Sequence, residues 1–239
     1  MSVELFRLEA KENSVAVLYY APRRSRKVTL VAGHGYSSSK HNLDFLCSFL
    51  ASHGFAVYSL DFPGHKLGAS GGTLHGIEDC IDAMGTVVEF ARNRLQGPVL
   101  TMGHSMGAMT AIFTAALDPA IAGVIAIATG FGRPTALTAL RAAGATDFRS
   151  SYVDGVDLPT LVEGVDGYYE RLLVNLEGRQ QLYLAASRDA MVNATSVLEL
   201  YERAPHPKHF TTIESDHTYA GEHARGEVLQ WLNKLYPRD

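Results

Sequence analysis

The sequence has few of the residues that mark disulfide-rich, membrane-spanning or secreted proteins. Only two of its 239 residues are cysteines, Cys47 and Cys80, and each lies in a predicted helix, so we expect neither a disulfide framework nor a cysteine-based metal site. No apolar run is long enough to cross a bilayer, and charges interrupt the first ten residues, unlike the apolar core of a signal peptide. These absences predict a cytoplasmic protein that does not enter a membrane.

The chain also lacks a large excess of charge of one sign. Its 21 Lys and Arg residues face 25 Asp and Glu residues, for a formal net charge of −4. The densest basic cluster, residues 23–27, falls between two predicted strands and is interpreted as a solvated turn, so no nucleic-acid partner is expected. Neither a His-Glu-x-x-His motif nor a phosphate loop ending in Gly-Lys-Ser/Thr occurs, and we expect no metal and no cofactor.

What the sequence does have is a regular alternation of short apolar runs and amphipathic helices, in a composition that suits one large globular domain. The runs predicted as strands are Val3–Leu8, Val15–Tyr20, Val28–Ala32, Phe55–Leu60, Val99–Met102, Val124–Ala128, Leu182–Ala186 and His209–Ile213. The main predicted helices are Leu43–His53, Gly76–Leu95, Ser105–Leu117, Thr195–Arg203 and Glu222–Leu235. After an opening antiparallel pair, this pattern predicts an α/β protein. It would have a mostly parallel eight-stranded sheet, flanked by helices, that binds ligands beyond the carboxyl ends of its strands.

Residues 130–179 break this alternation. They hold several glycines and aromatic residues, with helical patterns at Pro134–Ala143 and Tyr168–Leu176, but no strong strand. Because an unstructured loop of that length is improbable inside a compact domain, we predict a small helical cap over the carboxyl end of the sheet. The α/β core would then consist of residues 1–129 and 180–239.

The predicted cap is expected to determine the substrate. Its composition suits an apolar acyl or alcohol group, with Phe131, Tyr168 and Tyr169 as predicted substrate contacts. The alternative is that these side chains only pack the cap onto the core. Three arginines of this stretch are interpreted as solvated surface residues rather than as contacts for an acidic substrate: Arg133, Arg141 and Arg149.

The most informative segment is the turn that follows the predicted strand Val99–Met102. It reads Gly-His-Ser-Met-Gly at 103–107 and leads directly into a helix of small residues. Glycines on both sides allow a sharp strand-to-helix turn, which would hold the hydroxyl of Ser105 at its apex and at the positive end of a helix. The alternative is a glycine-rich turn with an incidental serine. We predict that Ser105 is a nucleophile.

A serine nucleophile needs a base to take its proton, and the base needs an acid to orient it. Asp189 and His217 each follow one of the last two predicted strands, so both would lie beyond the carboxyl end of the sheet. The order Ser, Asp, His along the chain is the one associated with this type of turn. Asp216 is the rival acid, but adjacent residues rarely orient each other's side chains. The predicted catalytic residues are therefore Ser105, Asp189 and His217.

The oxyanion formed by attack on a carbonyl needs two N–H donors. We predict the backbone N–H of Met106, directly after the serine, and that of Tyr36, in the Gly-His-Gly-Tyr loop at 33–36 after the third predicted strand. His34 and His104 lie in these two turns and are predicted substrate contacts. For both histidines, the alternative is packing or hydrogen bonding within the turn.

Several segments together resemble the α/β-hydrolase superfamily, in its serine-hydrolase branch. They are Gly33–Tyr36, Asp61–His65 with Ser70 and Gly71, Gly103–Gly107, Ser187–Asp189 and Asp216–His217. The stretch from Asp61 is similar to the Asp-x-x-Gly-x-Gly-x-Ser turn of monoglyceride-lipase-like and esterase-like members, but it has Lys66 where glycine is common and extra residues before Ser70. The resemblance covers nearly the whole chain outside the cap and implies an α/β-hydrolase fold.

The resemblance also implies an activity. The expected protein is a serine carboxylesterase that cleaves small-molecule esters of small or medium chain length through an acyl-enzyme. An acyl-thioesterase or acyltransferase and a C–C bond hydrolase are enzymatic alternatives, because each uses the same triad. A ligand-binding module on the same scaffold is the non-enzymatic alternative. No oligomeric state follows from the sequence.

Overall fold

An eight-stranded sheet lies at the centre of the part of the chain that the structure, a computed structural model, describes: residues 1–10, 13–132 and 148–238. The strands are β1 (Ser2–Ala10), β2 (Asn13–Ala21), β3 (Thr29–Gly33), β4 (Ala56–Leu60), β5 (Val99–His104), β6 (Gly123–Ile127), β7 (Gln180–Ala186) and β8 (Lys208–Ile213). They are arranged in the order β1-β2-β4-β3-β5-β6-β7-β8. β2 pairs antiparallel with β1 and β4, and the pairs from β4 to β8 are parallel. The predicted fold class is confirmed.

Helices connect these strands and cover the sheet. They are α1 (Asp44–Ser52), α2 (Ile77–Arg94), α3 (Met106–Leu117), α4 (Leu158–Val162), α5 (Val165–Leu172), α6 (Ala194–Arg203), α7 (Ala220–His223) and α8 (Arg225–Leu235). Short 3₁₀ turns occupy Lys40–Leu43, Phe148–Tyr152 and Leu173–Leu176. The predicted helix from Ser105 begins one residue later, because Ser105 itself has a non-helical, positive φ of 54°. The predicted closing helix is divided at Ala224.

Burial on both faces of the sheet explains the continuous apolar runs of its central strands. Every residue of β3, β4 and β6 is buried. Successive side chains point to opposite faces. Val31 therefore joins the core cluster that includes α2 and α3, whereas Leu30 and Ala32 join the cluster that includes α1 and α8. Because β3 to β8 run parallel, the loops that follow β3, β5, β7 and β8 meet at one edge of the sheet.

The described part of the predicted cap packs on the α2–α3 side of the sheet. Leu158, Val165 and Tyr169 belong to the same buried cluster as the inner faces of those two helices. The backbone also joins the loop after β4, where the N–H of Asp154 donates to the carbonyl of Gly64 at 2.8 Å. These contacts place the cap segment against the cluster of α2 and α3 and beside the loop after β4.

Some predictions for the cap fall on residues that the structure does not describe. The helix predicted at Pro134–Ala143 lies outside the described residues, as do Arg133 and Arg141. The second predicted helix, Tyr168–Leu176, is present but starts earlier, as α5, and ends in a 3₁₀ turn. It begins directly after Gly164, whose positive φ of 78° separates it from the preceding turn.

The two cysteines are free, as predicted, and both are buried. Burial raises the pKa of the Cys47 thiol to about 12, which keeps it in the neutral form. None of the helices formed by the described residues has the length and apolar character needed to span a membrane.

Candidate active site

Ser105 occupies the turn between β5 and α3 in a strained backbone conformation. Its φ of 54° lies in the left-handed region, which non-glycine residues rarely adopt. Two hydrogen bonds hold the turn: the N–H of Ser105 donates to the carbonyl of Ile127 in β6 at 2.8 Å, and its carbonyl accepts from the N–H of Ala108 at 3.0 Å. Ser105 therefore stands at the N-terminus of α3, where the helix dipole favours negative charge.

Two glycines allow the loop after β3 to approach this turn closely. A Cβ atom on Gly107 would lie 2.1 Å from the carbonyl oxygen of Gly33, so no larger residue fits between α3 and the end of β3. A Cβ atom on Gly35 would lie 3.5 Å from the Cβ of Ser105. The loop that carries Tyr36 therefore runs directly beside Ser105. The two predicted oxyanion donors, the backbone N–H groups of Tyr36 and Met106, belong to these adjoining segments.

Ser105, His217 and Asp189 form a continuous chain of hydrogen-bonding atoms. The Nε2 atom of His217 lies 3.1 Å from the Oγ of Ser105, and its Nδ1 lies 2.7 Å from the Oδ2 of Asp189. The three residues follow β5, β8 and β7, so the common direction of these strands brings their ends together. The Asp189 side chain is fully buried, and that of His217 is 12% exposed.

The surroundings of Asp189 keep its carboxyl group ionised. Burial alone would raise the pKa of Asp189, but the hydrogen bond and charge of His217, with two backbone N–H groups, outweigh burial and lower it below its ordinary value. Those groups belong to Met191 and Val192, and they donate to Oδ1 at 2.8 and 2.7 Å. An ionised acceptor places the imidazole proton on Nδ1, which leaves Nε2 of His217 able to accept a proton. The rival acid, Asp216, accepts instead from the backbone N–H of Tyr219 at 3.0 Å.

The two histidines predicted as substrate contacts take different positions. The ring of His34 is fully buried, where its Nδ1–H donates to the carbonyl of Gly35 at 2.8 Å and its Nε2 accepts from the N–H of Phe62 at 3.0 Å. Burial lowers the pKa of His34 to about 3, so the ring is neutral and fixes the loop after β3. Both histidines belong to the residues that line the cavity described below, and the ring centroid of His104 lies 4.8 Å from that of His217.

A buried ion pair supports the loop after β3. Sequence reasoning did not find it. The Nζ of Lys40 lies 2.5 Å from the Oδ2 of Asp61, and the two side chains are 2% and 0% exposed. The backbone N–H of Lys40 donates to Oδ1 of Asp61 at 2.7 Å, and that of Ala69 donates to Oδ2 at 2.7 Å. Burial would raise the pKa of Asp61, but the hydrogen bonds from Lys40 outweigh it and lower the pKa. The pair joins the segments that follow β3 and β4.

Replacing Lys40 with methionine is expected to lower the free energy of unfolding by about 3–5 kcal/mol at pH 7, because it leaves a buried carboxylate without its cation. In the wild type the lowered pKa of Asp61 contributes stability above pH ~4, which is lost as the pH falls through the folded-state pKa. In the variant the cation is lost while the burial remains, so we expect the pKa of Asp61 to rise and the sign to reverse. The loss of unfolding free energy in Lys40→Met, measured by urea unfolding, should therefore be smaller at pH 5 than at pH 7.

Lys66→Met provides the matched control for this prediction. Lys66 pairs with Asp154 at 3.0 Å, but the two side chains are 48% and 63% exposed, so the loss should stay below about 1 kcal/mol. Equal losses in the two variants would contradict a special role for the buried pair.

The described residues form a cavity of about 190 Å³ in front of Ser105 and His217. On the side of the loop after β3 it is lined by polar residues, among them Ser37, Ser38 and Asn42. The predicted cap and the loop after β7 also contribute to the lining, with Arg149, Leu158 and Met191. Sequence reasoning missed these last three as cavity residues, because they come from separate segments whose meeting depends on the packing of the cap.

The three aromatic residues predicted to contact substrate are not among the described residues that line this cavity. Tyr169 is fully buried, its hydroxyl lies 3.1 Å from the Oγ1 of Thr129, and its ring packs 4.9 Å from that of Phe113 in α3. The ring of Tyr168 lies 5.4 Å from the same Phe113 ring, and that of Phe131 lies 6.4 Å from Tyr169. This placement corresponds to the alternative interpretation, in which they pack the cap segment onto the core.

Among residues 1–10, 13–132 and 148–238, no group of three or more His, Cys, Asp and Glu side chains is arranged to hold a metal ion. The groups that the structure brings together beside Ser105 are a hydroxyl, an imidazole, a buried carboxylate and nearby backbone N–H groups. This is the donor set of nucleophilic acyl transfer.

Comparison with protein families gives a match to the family model described as "Serine aminopeptidase, S33" over residues 24–162, which is more than half of the chain. The match includes the loop after β3 and the turn at Ser105. No curated protein matches the chain.

Solved structures of α/β serine hydrolases and esterases share the fold at low sequence identity. The Pyrococcus furiosus esterase Pf2001 is 18% identical with a TM-score of 0.75, over 98% of this chain and 91% of that one. XC6422 from Xanthomonas campestris, described as an a/b serine hydrolase without lid, is 17% identical with a TM-score of 0.72. The match covers 100% of this chain and 97% of that one. Est1E from Butyrivibrio proteoclasticus, solved with ferulic acid bound, is 16% identical with a TM-score of 0.72. The match covers 95% of this chain and 99% of that one.

Proposed function

The chain belongs to the serine aminopeptidase S33 family of α/β hydrolases, and from this membership we propose that it is a carboxylesterase that cleaves small esters through an acyl-enzyme at Ser105. The observation that carries the proposal is the chain of atoms from Ser105 Oγ through His217 to the buried carboxylate of Asp189, at 3.1 and 2.7 Å. A hydroxyl within reach of an oriented base is the arrangement that nucleophilic catalysis requires.

In the first half of the reaction, the Oγ of Ser105 attacks the ester carbonyl carbon while Nε2 of His217 takes the hydroxyl proton. The carbonyl oxygen becomes an oxyanion, which accepts hydrogen bonds from the backbone N–H groups of Tyr36 and Met106. The intermediate then collapses, the bond to the alcohol oxygen breaks, and His217 gives its proton to the departing alcohol. Asp189 stabilises the imidazolium that exists between these two transfers.

In the second half, a water molecule attacks the acyl carbon and loses a proton to His217. Collapse of the second intermediate breaks the bond to Ser105, which regains its proton as the carboxylic acid leaves. The N-terminus of α3 adds a favourable dipole at the oxyanion in both halves.

The cavity supports a small substrate. Its volume of about 190 Å³ lies below the ~300–1,000 Å³ typical of sites for drug-sized ligands. Ser37, Ser38 and Asn42 also present polar groups to a substrate on the side of the loop after β3. The small volume refines the expectation from the sequence, which included medium-length acyl groups.

The proposal predicts the chain-length profile of the enzyme. With p-nitrophenyl esters from acetate to palmitate, kcat/KM should be highest from acetate to butyrate and should fall by about tenfold or more by octanoate. The reason is that the end of a longer acyl chain extends out of the cavity and stays exposed to water. The same assay should include acyl-CoA thioesters and aminoacyl p-nitroanilides. Turnover of a thioester or an anilide at higher kcat/KM than every ester would overturn the proposed carboxylesterase activity in favour of that substrate.

A further inference from the structure

We propose that the side chain of Tyr36 is a positioning group for the reaction. Its hydroxyl fastens the loop after β3 to residues 152–156 of the predicted cap and so fixes the backbone N–H that Tyr36 offers to the oxyanion. This inference rests on the proposed function and deepens it, because it assigns a side chain that sets how well the site stabilises the transition state. It also gives the cap a part in the chemistry besides lining the cavity.

The peptide group between Gly35 and Tyr36 carries the proposed oxyanion donor. Its carbonyl, on Gly35, accepts from the Nδ1–H of His34 at 2.8 Å and from the N–H of Ser38 at 3.2 Å. A trans peptide group is planar, and its N–H points in the direction opposite to its carbonyl. These two bonds therefore hold the donor from its Gly35 side.

The side chain of Tyr36 holds the same residue from its other side. Tyr36 is 8% exposed, and its hydroxyl donates to the carbonyl of Val156 at 2.9 Å. The hydroxyl also lies 3.4 Å from the Oγ of Ser150. Because a tyrosine side chain is rigid and has few rotatable bonds, a hydrogen bond at its far end restricts the position of its own backbone.

The acceptor of this bond belongs to a backbone that is itself held in place. The N–H of Val156 donates to the carbonyl of Leu74 at 2.9 Å, and the N–H of Leu74 donates to the carbonyl of Asp154 at 2.9 Å. A Cβ atom on Gly155 would lie 1.9 Å from the carbonyl oxygen of Leu74, so the two backbones lie too close for a larger residue. The hydroxyl of Tyr36 is therefore bonded to a part of the cap that is paired with the loop after β4.

The position of an oxyanion donor matters because the donor must be in place before the charge develops. One such donor contributes about 10²–10³-fold to kcat, and a displacement of about 1 Å can cost about a hundredfold. Loss of the bond to Val156 keeps the N–H of Tyr36 but removes one constraint on its position. The expected effect is a part of the full contribution of the donor, and it should fall on the transition state.

Tyr36→Phe tests the inference, because it removes the hydroxyl and keeps the ring. We expect kcat for p-nitrophenyl acetate to fall by about tenfold while KM changes by less than about twofold, since the bound ester carries no oxyanion. An alkyl trifluoromethyl ketone gives a second measurement: the Oγ of Ser105 adds to its carbonyl carbon, the proton passes to His217, and the carbonyl oxygen becomes a stable oxyanion. Its Ki should rise by about the same factor as kcat falls.

Tyr183→Phe is the matched control. Tyr183 is fully buried, and its hydroxyl donates to the Oε1 of Gln181 in β7 at 2.9 Å. Each variant loses one buried hydrogen bond of the same length, so both should lower the midpoint of urea unfolding. Tyr183→Phe should leave kcat and Ki unchanged. An equal fall of kcat in both variants, or an unchanged kcat in Tyr36→Phe, would overturn the inference, as would a change confined to KM.

Amide hydrogen exchange separates this inference from the proposed function. Tyr36→Phe should exchange faster than the wild type in peptides that cover residues 33–39 and 150–157, whereas Tyr183→Phe should not. If the wild type hydrolyses no ester but this difference in exchange is found, the result counts against the esterase proposal alone. Unchanged exchange in Tyr36→Phe would count against the bond between loop and cap as a constraint, whatever the activity.

Discussion

Replacing Ser105 with alanine is expected to lower kcat for p-nitrophenyl acetate by about 10⁵-fold or more, because it removes the atom that forms the acyl-enzyme. His217 and Asp189 would keep their positions but would have no hydroxyl to activate. The residual rate would come from substrate binding and the oxyanion donors alone. The fold should survive: the alanine keeps the Cβ atom at the strained φ of 54°, and the lost hydroxyl has its hydrogen-bond partner in the partly exposed imidazole of His217. The free energy of unfolding should therefore change by less than about 1 kcal/mol.

The measurement is steady-state hydrolysis together with labelling by a fluorophosphonate probe, which reacts with an activated serine. The wild type should be labelled at Ser105, and Ser105→Ala should not be labelled. Ser48→Ala is the control, since Ser48 lies in α1 and its hydroxyl donates only locally, to the carbonyl of Phe45 at 3.3 Å. Near-full activity in Ser105→Ala with a stable fold would disprove the nucleophile assignment. A folded wild type that neither hydrolyses the ester nor is labelled at Ser105 would favour the ligand-binding alternative.

The elements that could be predicted from the sequence are those governed by local pattern. The strands at Val28–Ala32 and Val124–Ala128 were recognisable because a parallel strand buried on both faces must be apolar at every position. Ser105, Asp189 and His217 could be selected because each follows a predicted parallel strand, and parallel strands end at the same edge of the sheet. Only the structure, however, supplies the separations of 3.1 and 2.7 Å that connect them.

The features that could not be predicted depend on packing between distant segments. Lys40 follows a run of serines and looks like a solvated residue, but the loop after β4 covers it and supplies Asp61 as its partner. The one available signal was its position after β3, beside a strand, β4, that is directly followed by Asp61. The contacts of the predicted cap likewise depend on packing between distant segments. The apolar character of Tyr169 predicts burial, but it does not say whether the ring faces the cavity or α3.

Asp189→Asn is expected to lower kcat by about 10⁴-fold, and the structure gives the reason at the level of single atoms. The Oδ1 atom of Asp189 accepts two backbone N–H groups, at 2.8 Å from Met191 and 2.7 Å from Val192. An asparagine here must keep its oxygen at these donors, because an amide NH₂ in that place would face two N–H groups. Its NH₂ then takes the place of Oδ2, which lies 2.7 Å from Nδ1 of His217.

The NH₂ group would donate to Nδ1 and thereby force the imidazole proton onto Nε2, the atom that faces Ser105. In that tautomer, His217 cannot accept the serine proton. Asp216→Asn is the matched control, because this carboxylate adjoins His217 in sequence but accepts from the N–H of Tyr219 at 3.0 Å. We expect it to change kcat by less than about tenfold, since an amide oxygen can accept the same bond. A collapse of kcat in Asp216→Asn with little effect in Asp189→Asn would transfer the orienting role to Asp216. Loss in Asp189→Asn alone would show that the acid acts through its charge and the tautomer it fixes in His217 and not through packing, because the variant keeps the size and the backbone contacts of the original side chain.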